Sequence, residues 1–376
     1  MPPSNAASHK FSFVEARKLV QDLHSPNRAV YWTDFLLTII TGHICFHLVY
    51  FAPRIFPNSL AAMVSLQVVA FIAAAILYMR SVMFIHELVH LPKQGFRGFR
   101  FAWNALCGIF FLVPSFMYYP HVDHHRRRHY GTEHDGEYLS LSHSSSWWIW
   151  GFIAQNLFIP ILGYIRFAII APLCWVVPGL RTWAHRHAST LVVDPFYLRP
   201  DPSPRIRRLI FAQEFLCFLW CVWLVARAPI MKDIWFDWFW VLAYAMGVTI
   251  TTINGLRTLG AHRWTGTGEE MSFDEQLLDS VNYPERPWIS ELWGPVGTRY
   301  HALHHLFPSI PYHHLPEAHR RLMAGLPADS PYRDTVRSSL LGAIGELLQR
   351  ARESERNASA APSPFLRHSG KTSIAS

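Results

Sequence analysis

Long apolar stretches separated by short polar turns run through most of this chain. Residues 31–52 are almost all apolar, and a second such stretch covers 60–80. Each is about 20 residues long, which is the length of a helix that crosses the hydrocarbon core of a bilayer. Pro53 and Pro57 lie between them and predict a tight turn, because proline cannot continue a helix. We therefore predict two transmembrane helices joined as a hairpin.

A second hairpin is predicted from two apolar stretches further along the chain, 209–228 and 236–255. Two other apolar stretches, 99–119 and 147–177, are interrupted by proline and glycine. We predict that these two are re-entrant or interfacial segments, because aromatic-rich helices favour the membrane interface. The chain then crosses the membrane four times and returns to the side on which it began.

The predicted fold class is an all-α integral membrane protein, with four transmembrane helices in two hairpins and a cytosolic helical cap. Residues 1–29 form a cytosolic segment with a short amphipathic helix over 11–23, residues 30–349 form the membrane domain, and residues 350–376 form a disordered tail. Cations concentrate in the predicted inner loops, which places both termini in the cytosol. We expect a bacterial inner-membrane protein without a signal peptide, since residues 1–29 lack an apolar core.

Composition supports the membrane class and argues against nucleic acid as a partner. Apolar residues make up 51% of the 376 residues. The net charge is +8, but the Lys and Arg residues lie in linkers beside the apolar stretches and form no single basic stripe. The five cysteines lie within apolar stretches and form no C-x-x-C pair. We interpret them as reduced packing residues.

Three histidine motifs are the candidate chemistry of the chain. They are His86-Glu-Leu-Val-His90, His121-Val-Asp-His124-His125 and His301-Ala-Leu-His304-His305. Residues three or four positions apart lie on the same face of a helix, so each motif presents two or three imidazoles together. Two membrane hairpins leave all three motifs on the cytosolic side.

Imidazole clusters of this size indicate a transition-metal site. Neutral imidazoles bind iron, copper or zinc, whereas magnesium and calcium prefer oxygen ligands. One zinc ion is satisfied by about four ligands, and the three motifs offer eight histidines. The number of ligands therefore favours two metal ions.

The motifs HELVH, HVDHH and HALHH resemble the three histidine boxes of the membrane fatty acid desaturase and hydroxylase family, over residues 31–333. The resemblance implies two non-haem iron ions and O₂ as co-substrate. It also implies one further ligand after the last transmembrane helix, where this chain has His262. The nine implied iron ligands are His86, His90, His121, His124, His125, His262, His301, His304 and His305. No catalytic residue beyond these ligands is predicted.

Polar residues near the motifs are candidates for an outer coordination sphere. Relatives often have an asparagine four residues before the position of His262, where this chain has Thr258, and Asn254 precedes it by one more turn. Either Asn254 or Thr258 could hold a metal-bound water. His129 is a possible additional ligand, and Asp123 is a possible partner of an imidazole N–H group. Further carboxylates that could orient imidazoles are Glu87, Asp135 and Glu137.

Electrons for O₂ chemistry must come from another protein. The chain has no G-x-G-x-x-G dinucleotide motif after a strand and no C-x-x-C-H haem motif. We expect a ferredoxin-, rubredoxin- or cytochrome-type donor. Arg126, Arg127 and Arg128 could dock an acidic donor or hold phospholipid headgroups, or they could be ordinary inside-facing charges.

The predicted substrate is a fatty acyl lipid, and two outcomes use the same ligands. Residues 304–322 resemble bacterial acyl-lipid desaturases more than sterol or carotenoid hydroxylases, which favours a fatty acid desaturase. A lipid hydroxylase is the alternative. HELVH also fits the H-E-x-x-H motif of zinc metalloproteases, with Glu87 as general base, but that activity leaves six boxed histidines unexplained. A metal transporter would carry more ionisable residues within its transmembrane helices.

Overall fold

The computed structural model describes residues 11–230 and 238–357. Over these residues the chain forms α-helices, short 3₁₀ and π-helical turns and isolated β-bridges, and it forms no strand. The helices are α1 (Phe13–Val20), α2 (Arg28–Ile55), α3 (Leu60–His90), α4 (Arg97–Trp103), α5 (His121–His124), α6 (Ser146–Ala154), α7 (Ile159–Ile165), α8 (Ala171–Val176), α9 (Pro178–His187), α10 (Pro204–Ile230), α11 (Trp238–Ala261), α12 (Phe273–Asp279), α13 (Pro287–Trp293), α14 (His301–Leu306), α15 (Leu315–Gly325) and α16 (Leu340–Asn357).

Within the described residues, five helical stretches are long and apolar enough to cross a membrane. Four of them, α2, α3, α10 and α11, correspond to the predicted transmembrane helices. The fifth runs from Ile159 to Val176 and was predicted to be interfacial because of its prolines. Pro160 stands in the first turn of α7, where its missing N–H group removes no hydrogen bond, and Pro172 follows the π-helical turn Arg166–Ile170 that joins α7 to α8.

The apolar stretch 99–119 forms no helix of membrane-crossing length, although all its residues are described. It is divided into the end of α4, a π-helical turn and the 3₁₀ turn Ser115–Tyr118. The break lies at Leu112, whose φ of 58° is in the left-handed region, and at Pro114. That this stretch is re-entrant or interfacial stays a prediction.

The chain divides into two compact units, which we call the membrane unit (27–122 and 147–256) and the histidine unit (1–26, 123–146 and 257–376). In the membrane unit α2 packs along α3. Gly42 permits this approach, because a Cβ there would lie 2.9 Å from the Tyr78 ring. Arg80 Nε also donates a hydrogen bond of 2.7 Å to Asp34 Oδ1, which pairs two charges between these helices.

In the histidine unit α1 packs on α15. The predicted amphipathic helix over 11–23 is observed as α1, with Ala16 and Val20 fully buried against the core of this unit. Phe13 and Val14 remain exposed on the other side of α1. The buried face arises because apolar residues three or four positions apart share one side of a helix.

The predicted disorder from Arg350 onward is wrong for residues 350–357, which belong to α16. Ile344, Leu347 and Ala351 form the buried stripe of this helix at intervals of three and four residues. Glu355 accepts a hydrogen bond of 2.8 Å from the backbone N–H of Ser146. Many charged residues lie on the exposed face of α16. They make the segment polar in composition, so the short apolar stripe is not evident from the sequence. The remaining tail, residues 358–376, lies outside the described residues, as do residues 1–10 and most of the predicted turn at 229–233.

Candidate metal centre

Four histidines of the histidine unit converge on one point. His124 ends α5, His262 follows the last residue of α11, and His301 and His305 share one face of α14. The ligand nitrogens of these four side chains all lie within 4.8 Å of one another. The Nε2 atom of His301 is 2.8 Å from that of His262 and 3.0 Å from that of His305. We call this group the four-histidine cluster.

Asp135 orients the first member of the four-histidine cluster. His124 Nδ1 donates a hydrogen bond of 2.8 Å to Asp135 Oδ2, and both side chains are buried. The carboxylate also accepts hydrogen bonds of 3.0 Å from the backbone N–H groups of Gly131 and Glu137. Because Nδ1 carries the proton, Nε2 is the unprotonated nitrogen of His124, as a metal ligand requires.

Tyr130 and Asp279 orient a second member of the cluster. Tyr130 donates a hydrogen bond of 2.7 Å to Asp279 Oδ2, so its oxygen accepts one of 2.8 Å from His262 Nδ1. Asp279 is fixed in turn by the N–H and hydroxyl groups of Thr265, both at 2.7 Å. The proton of His262 therefore resides on Nδ1, and Nε2 is the atom that faces His301.

Burial and the neighbouring carboxylates have opposite effects on the pKa values of His124 and His262. Burial favours the neutral imidazole, whereas a nearby carboxylate favours the protonated one. Burial lowers the pKa of His262, and Asp279 only partly offsets that effect. Burial also acts to lower the pKa of His124, but the charge and hydrogen bond of Asp135 outweigh it and raise that pKa. Burial acts to raise the pKa of Asp279, whereas its hydrogen bonds to His262, Thr265 and Tyr130 lower it overall. Asp279 thus remains a carboxylate able to orient a neutral imidazole.

The histidine unit also contains a pair of histidines outside the four-histidine cluster. The Nε2 atoms of His125 and His304 are 3.1 Å apart, and their rings are nearly perpendicular. His304 is on α14 beside His301 and His305, and His125 directly follows His124. The five motif histidines of the histidine unit, together with His262, therefore lie in one pair or one cluster.

The membrane unit contains three further motif histidines that lie close together. His86 and His90 occupy the last turn of α3, and His121 begins α5. The ring of His121 lies 4.7 Å from that of His86 and 5.3 Å from that of His90, measured between centroids. The Tyr118 ring stacks on His121 at 4.6 Å with an interplanar angle of 21°. Their ligand nitrogens also lie within 4.8 Å of one another.

The four-histidine cluster has the donor set of a transition-metal site. Three Nε2 atoms lie in close succession there, and the proton of His262 is held on its Nδ1 atom, away from His301. Lone pairs that face one another at about 3 Å repel unless a cation or a proton lies between them. An all-imidazole set fits iron, copper or zinc and does not fit magnesium or calcium.

Sequence comparison identifies the family to which this arrangement belongs. The sequence model of the fatty acid desaturase family matches residues 63–336. The chain belongs to the fatty acid desaturase family. It is also 36% identical over 360 residues to a ceramide hydroxylase of Caulobacter vibrioides, an alignment that covers 93% of this chain and 96% of that protein. No solved structure matches the chain significantly. The resemblance inferred from the histidine motifs is confirmed, and the protein is an oxidoreductase that acts on lipids.

Glu87, the possible general base of a protease, faces helix α2 in this desaturase family member. The hydroxyl of Tyr31 donates a hydrogen bond to Glu87 Oε2, and both side chains are buried. The other carboxylate oxygen lies 4.0 Å from His86 Nδ1. A general base of a zinc protease must reach a metal-bound water. A carboxylate engaged by Tyr31 is better suited to hold α2 against α3.

The other predicted site residues have local partners. Asp123 pairs with Arg126 at 2.7 Å and lies 3.4 Å from His129 Nδ1. Thr258 accepts a hydrogen bond of 3.0 Å from Arg257, and Asn254 lies one turn earlier on α11. The predicted roles of Asn254 and Thr258 in holding water, and of His129 as a ligand, remain predictions. Three arginines proposed for docking are exposed, namely Arg126, Arg127 and Arg128.

Two important residues were missed by the sequence reasoning, Tyr130 and Asp279. Asp279 lies in the run Leu277-Leu-Asp-Ser-Val281, where an acid among apolar residues indicates a buried carboxylate that needs a partner. Tyr130 follows the second motif by about one turn but has no distinctive spacing. Its partners are more than a hundred residues away in sequence, so no local pattern identifies it.

The membrane unit also contains an apolar cavity of about 570 Å³. It is lined almost entirely by aromatic and aliphatic side chains from several helices. Two polar groups on its wall are engaged: Tyr78 bonds His43 Nδ1 at 2.7 Å, and Trp220 donates to the Phe110 carbonyl at 3.0 Å. An occupant therefore gains apolar contact and no hydrogen bond from these groups. The cavity suits a hydrocarbon chain.

Proposed function

We propose that this protein is an O₂-dependent hydroxylase of a ceramide or a closely related lipid. The observation that carries the proposal is the 36% identity to a ceramide hydroxylase over 93% of this chain and 96% of that protein. This favours the hydroxylase alternative over the desaturase that was preferred from residues 304–322. Desaturation of the same lipid class is the second candidate, since the family matched by residues 63–336 is named for it.

The proposed cofactor is a pair of iron ions held by the nine histidines. Support comes from the family and from two groups of closely spaced imidazoles. When bound, iron would supply the reduction of O₂ that hydroxylation of an unactivated C–H bond requires. One oxygen atom enters the product and the other leaves as water, with two electrons and two protons consumed.

The protein's own residues would hold and orient these ligands. Asp135 and the Tyr130–Asp279 pair keep the Nδ1 protons of His124 and His262 in place, so that Nε2 is available to a metal. Because Asp279 is buried and fully hydrogen-bonded, its charge is directed at His262 and is little screened by water. The imidazoles thereby become better electron donors to a metal.

The lipid substrate is supported by the apolar character of the membrane unit. A ceramide carries two hydrocarbon chains and no net charge, so its binding depends mainly on apolar contact. The cavity lined by Phe46, Tyr78 and Trp220 offers such contact within the candidate transmembrane helices. We propose that it accepts part of a hydrocarbon chain.

Electrons would come from a separate donor of ferredoxin, rubredoxin or cytochrome type. We retain the proposal that the exposed arginines 126–128 contribute to its docking or to contact with phospholipid headgroups. We also propose that the histidine motifs and both termini face the cytosol, as the charge distribution in the sequence indicates.

The decisive experiment is lipid analysis of cells that make ceramide and express this chain. Mass spectrometry should reveal ceramide with one additional oxygen atom, and growth under isotope-labelled O₂ should place the label in that product. A variant with His301→Ala should give no product. A ceramide that lacks two hydrogens and carries no label would instead establish the desaturase candidate, because desaturation releases both oxygen atoms as water.

A further inference from the structure

The turn that precedes the second histidine motif is buried yet has little stability of its own. Ser115–Tyr118 is one turn of 3₁₀ helix, and Ser115, Phe116 and Met117 are all buried. Short 3₁₀ turns satisfy few of their own backbone groups, and buried N–H and C=O groups need partners. Leu112, with its φ of 58°, stands just before this turn. Its conformation must therefore be fixed from outside.

Side chains distant in sequence provide those partners. The N–H of Ser115 donates to Asn104 Oδ1 at 2.9 Å, and the N–H of Phe116 donates to Gln213 Oε1 at 3.3 Å. The carbonyl of Phe116 accepts a hydrogen bond of 3.0 Å from Arg199 Nη2. Three successive backbone groups are thus held by the side chain that directly follows α4 and by two side chains from the second half of the chain.

Arg199 is itself fixed in a buried position. Its Nη1 donates to the carbonyl of Ser189, and the hydroxyl of Ser189 accepts a hydrogen bond of 3.0 Å from Arg166 Nη2. Arg166 pairs in turn with Glu214. Burial lowers the pKa of Arg199 to about 10, which leaves it charged at neutral pH. A buried guanidinium that binds two carbonyls in a rigid fork defines their separation closely.

The turn leads directly to a predicted metal ligand. Tyr118 is its last residue, and the Tyr118 ring stacks on His121 at 4.6 Å. The same ring lies 6.3 Å from that of His86. A shift of the turn would therefore move Tyr118 and His121 together.

We propose that Arg199 and Gln213 are positioning residues for the second histidine motif: through the turn Ser115–Tyr118 they determine where the imidazole of His121 lies. The inference rests on the proposed function, in which His121 is a metal ligand. It adds a set of residues that touch neither the metal ligands nor the apolar cavity. A merely structural role would lower stability alone, whereas a positioning role changes metal binding.

The test uses the full-length protein in detergent, stripped of metal and titrated with Co²⁺, whose visible absorption reports ligand geometry. Arg199→Lys keeps the charge but replaces the planar fork of two donor nitrogens with a single ammonium nitrogen on a flexible chain, and Gln213→Met removes the acceptor of the Phe116 N–H group. We expect each variant to weaken Co²⁺ binding by about tenfold or more and to alter the absorption bands. Gln213→Met decides the question if Arg199→Lys fails to fold.

Arg186→Lys is the matched control, because Arg186 is exposed and pairs with Asp201 at 3.3 Å. It should bind Co²⁺ like the original protein. In a His121→Ala background, Arg199→Lys should cause no further loss, since its effect acts through His121. Unchanged Co²⁺ affinity and spectrum in both test variants, whatever their thermal midpoints, would overturn the inference. If His121→Ala itself leaves Co²⁺ binding intact, the ligand assignment in the proposed function fails, and the inference fails with it.

Discussion

The two units hold their histidines by different means. In the histidine unit, buried carboxylates and a tyrosine bind the Nδ1 atoms of His124 and His262. In the membrane unit, His121 is stacked by Tyr118, and the carboxylate beside His86 is directed to Tyr31 on α2. Carboxylates thus orient two imidazoles of the histidine unit, whereas an aromatic stack contacts His121 in the membrane unit.

This difference has consequences for metal binding. An imidazole that donates its Nδ1 proton to a carboxylate is a stronger ligand and is locked in one tautomer. An imidazole fixed by packing depends on the shape of its surroundings. We therefore expect the histidine unit to be sensitive to substitutions that change charge, and the membrane unit to substitutions that move the backbone.

The largest effect is expected from removing a ligand in either unit. His301→Ala and His86→Ala should each reduce hydroxylation by more than about 100-fold and lower the iron content, because loss of a ligand exceeds loss of an outer-sphere partner. Iron analysis of the purified protein and product formation measure both. His134→Ala is the control, since that histidine is exposed and lies outside the clusters. Full iron content and activity in His86→Ala would restrict the metal site to the histidine unit.

A smaller effect is expected when a carboxylate partner is neutralised. Asp279→Asn should weaken iron binding by about 10- to 100-fold, because the Tyr130–His262 chain loses its charge. Competitive titration with a coloured chelator measures the affinity. Asp274→Asn, on the same helix α12, is the control. Unaltered affinity in Asp279→Asn would mean that charge does not distinguish the two units.

Much of the site could be predicted from local spacing. Histidines at i, i+3 and i+4 require only a helix to share a face, and the helices at His86, His121 and His301 are present. The apolar stretches likewise predicted α2, α3, α10 and α11, since about 20 apolar residues suffice to specify such a helix.

The rest depends on contacts that sequence does not reveal. Tyr130 and Asp279 are 149 residues apart, and only the folded chain brings them together. The hydrogen bond from Arg199 to the Phe116 carbonyl is also non-local, since it spans 83 residues. The stretch from Ile159 to Val176 was predicted as interfacial helices, and it is long and apolar enough to cross a membrane because Pro160 falls in its first turn and Pro172 follows a π-helical turn, positions that a count of helix breakers does not consider.

The smallest effect is expected for Glu87→Gln. A glutamine can still accept the hydrogen bond from Tyr31, so the contact between α2 and α3 would persist in a neutral form that is weaker by about 1 kcal/mol. Hydroxylation should therefore fall by less than about tenfold, as measured by product formation in expressing cells. A general base of a zinc protease contributes about 10²- to 10⁴-fold, so a loss of that size would give Glu87 a direct chemical role. Tyr31→Phe separates the two explanations: if Glu87 acts by packing, this variant should reproduce the mild loss, whereas a catalytic Glu87 would leave it nearly as active as the original protein.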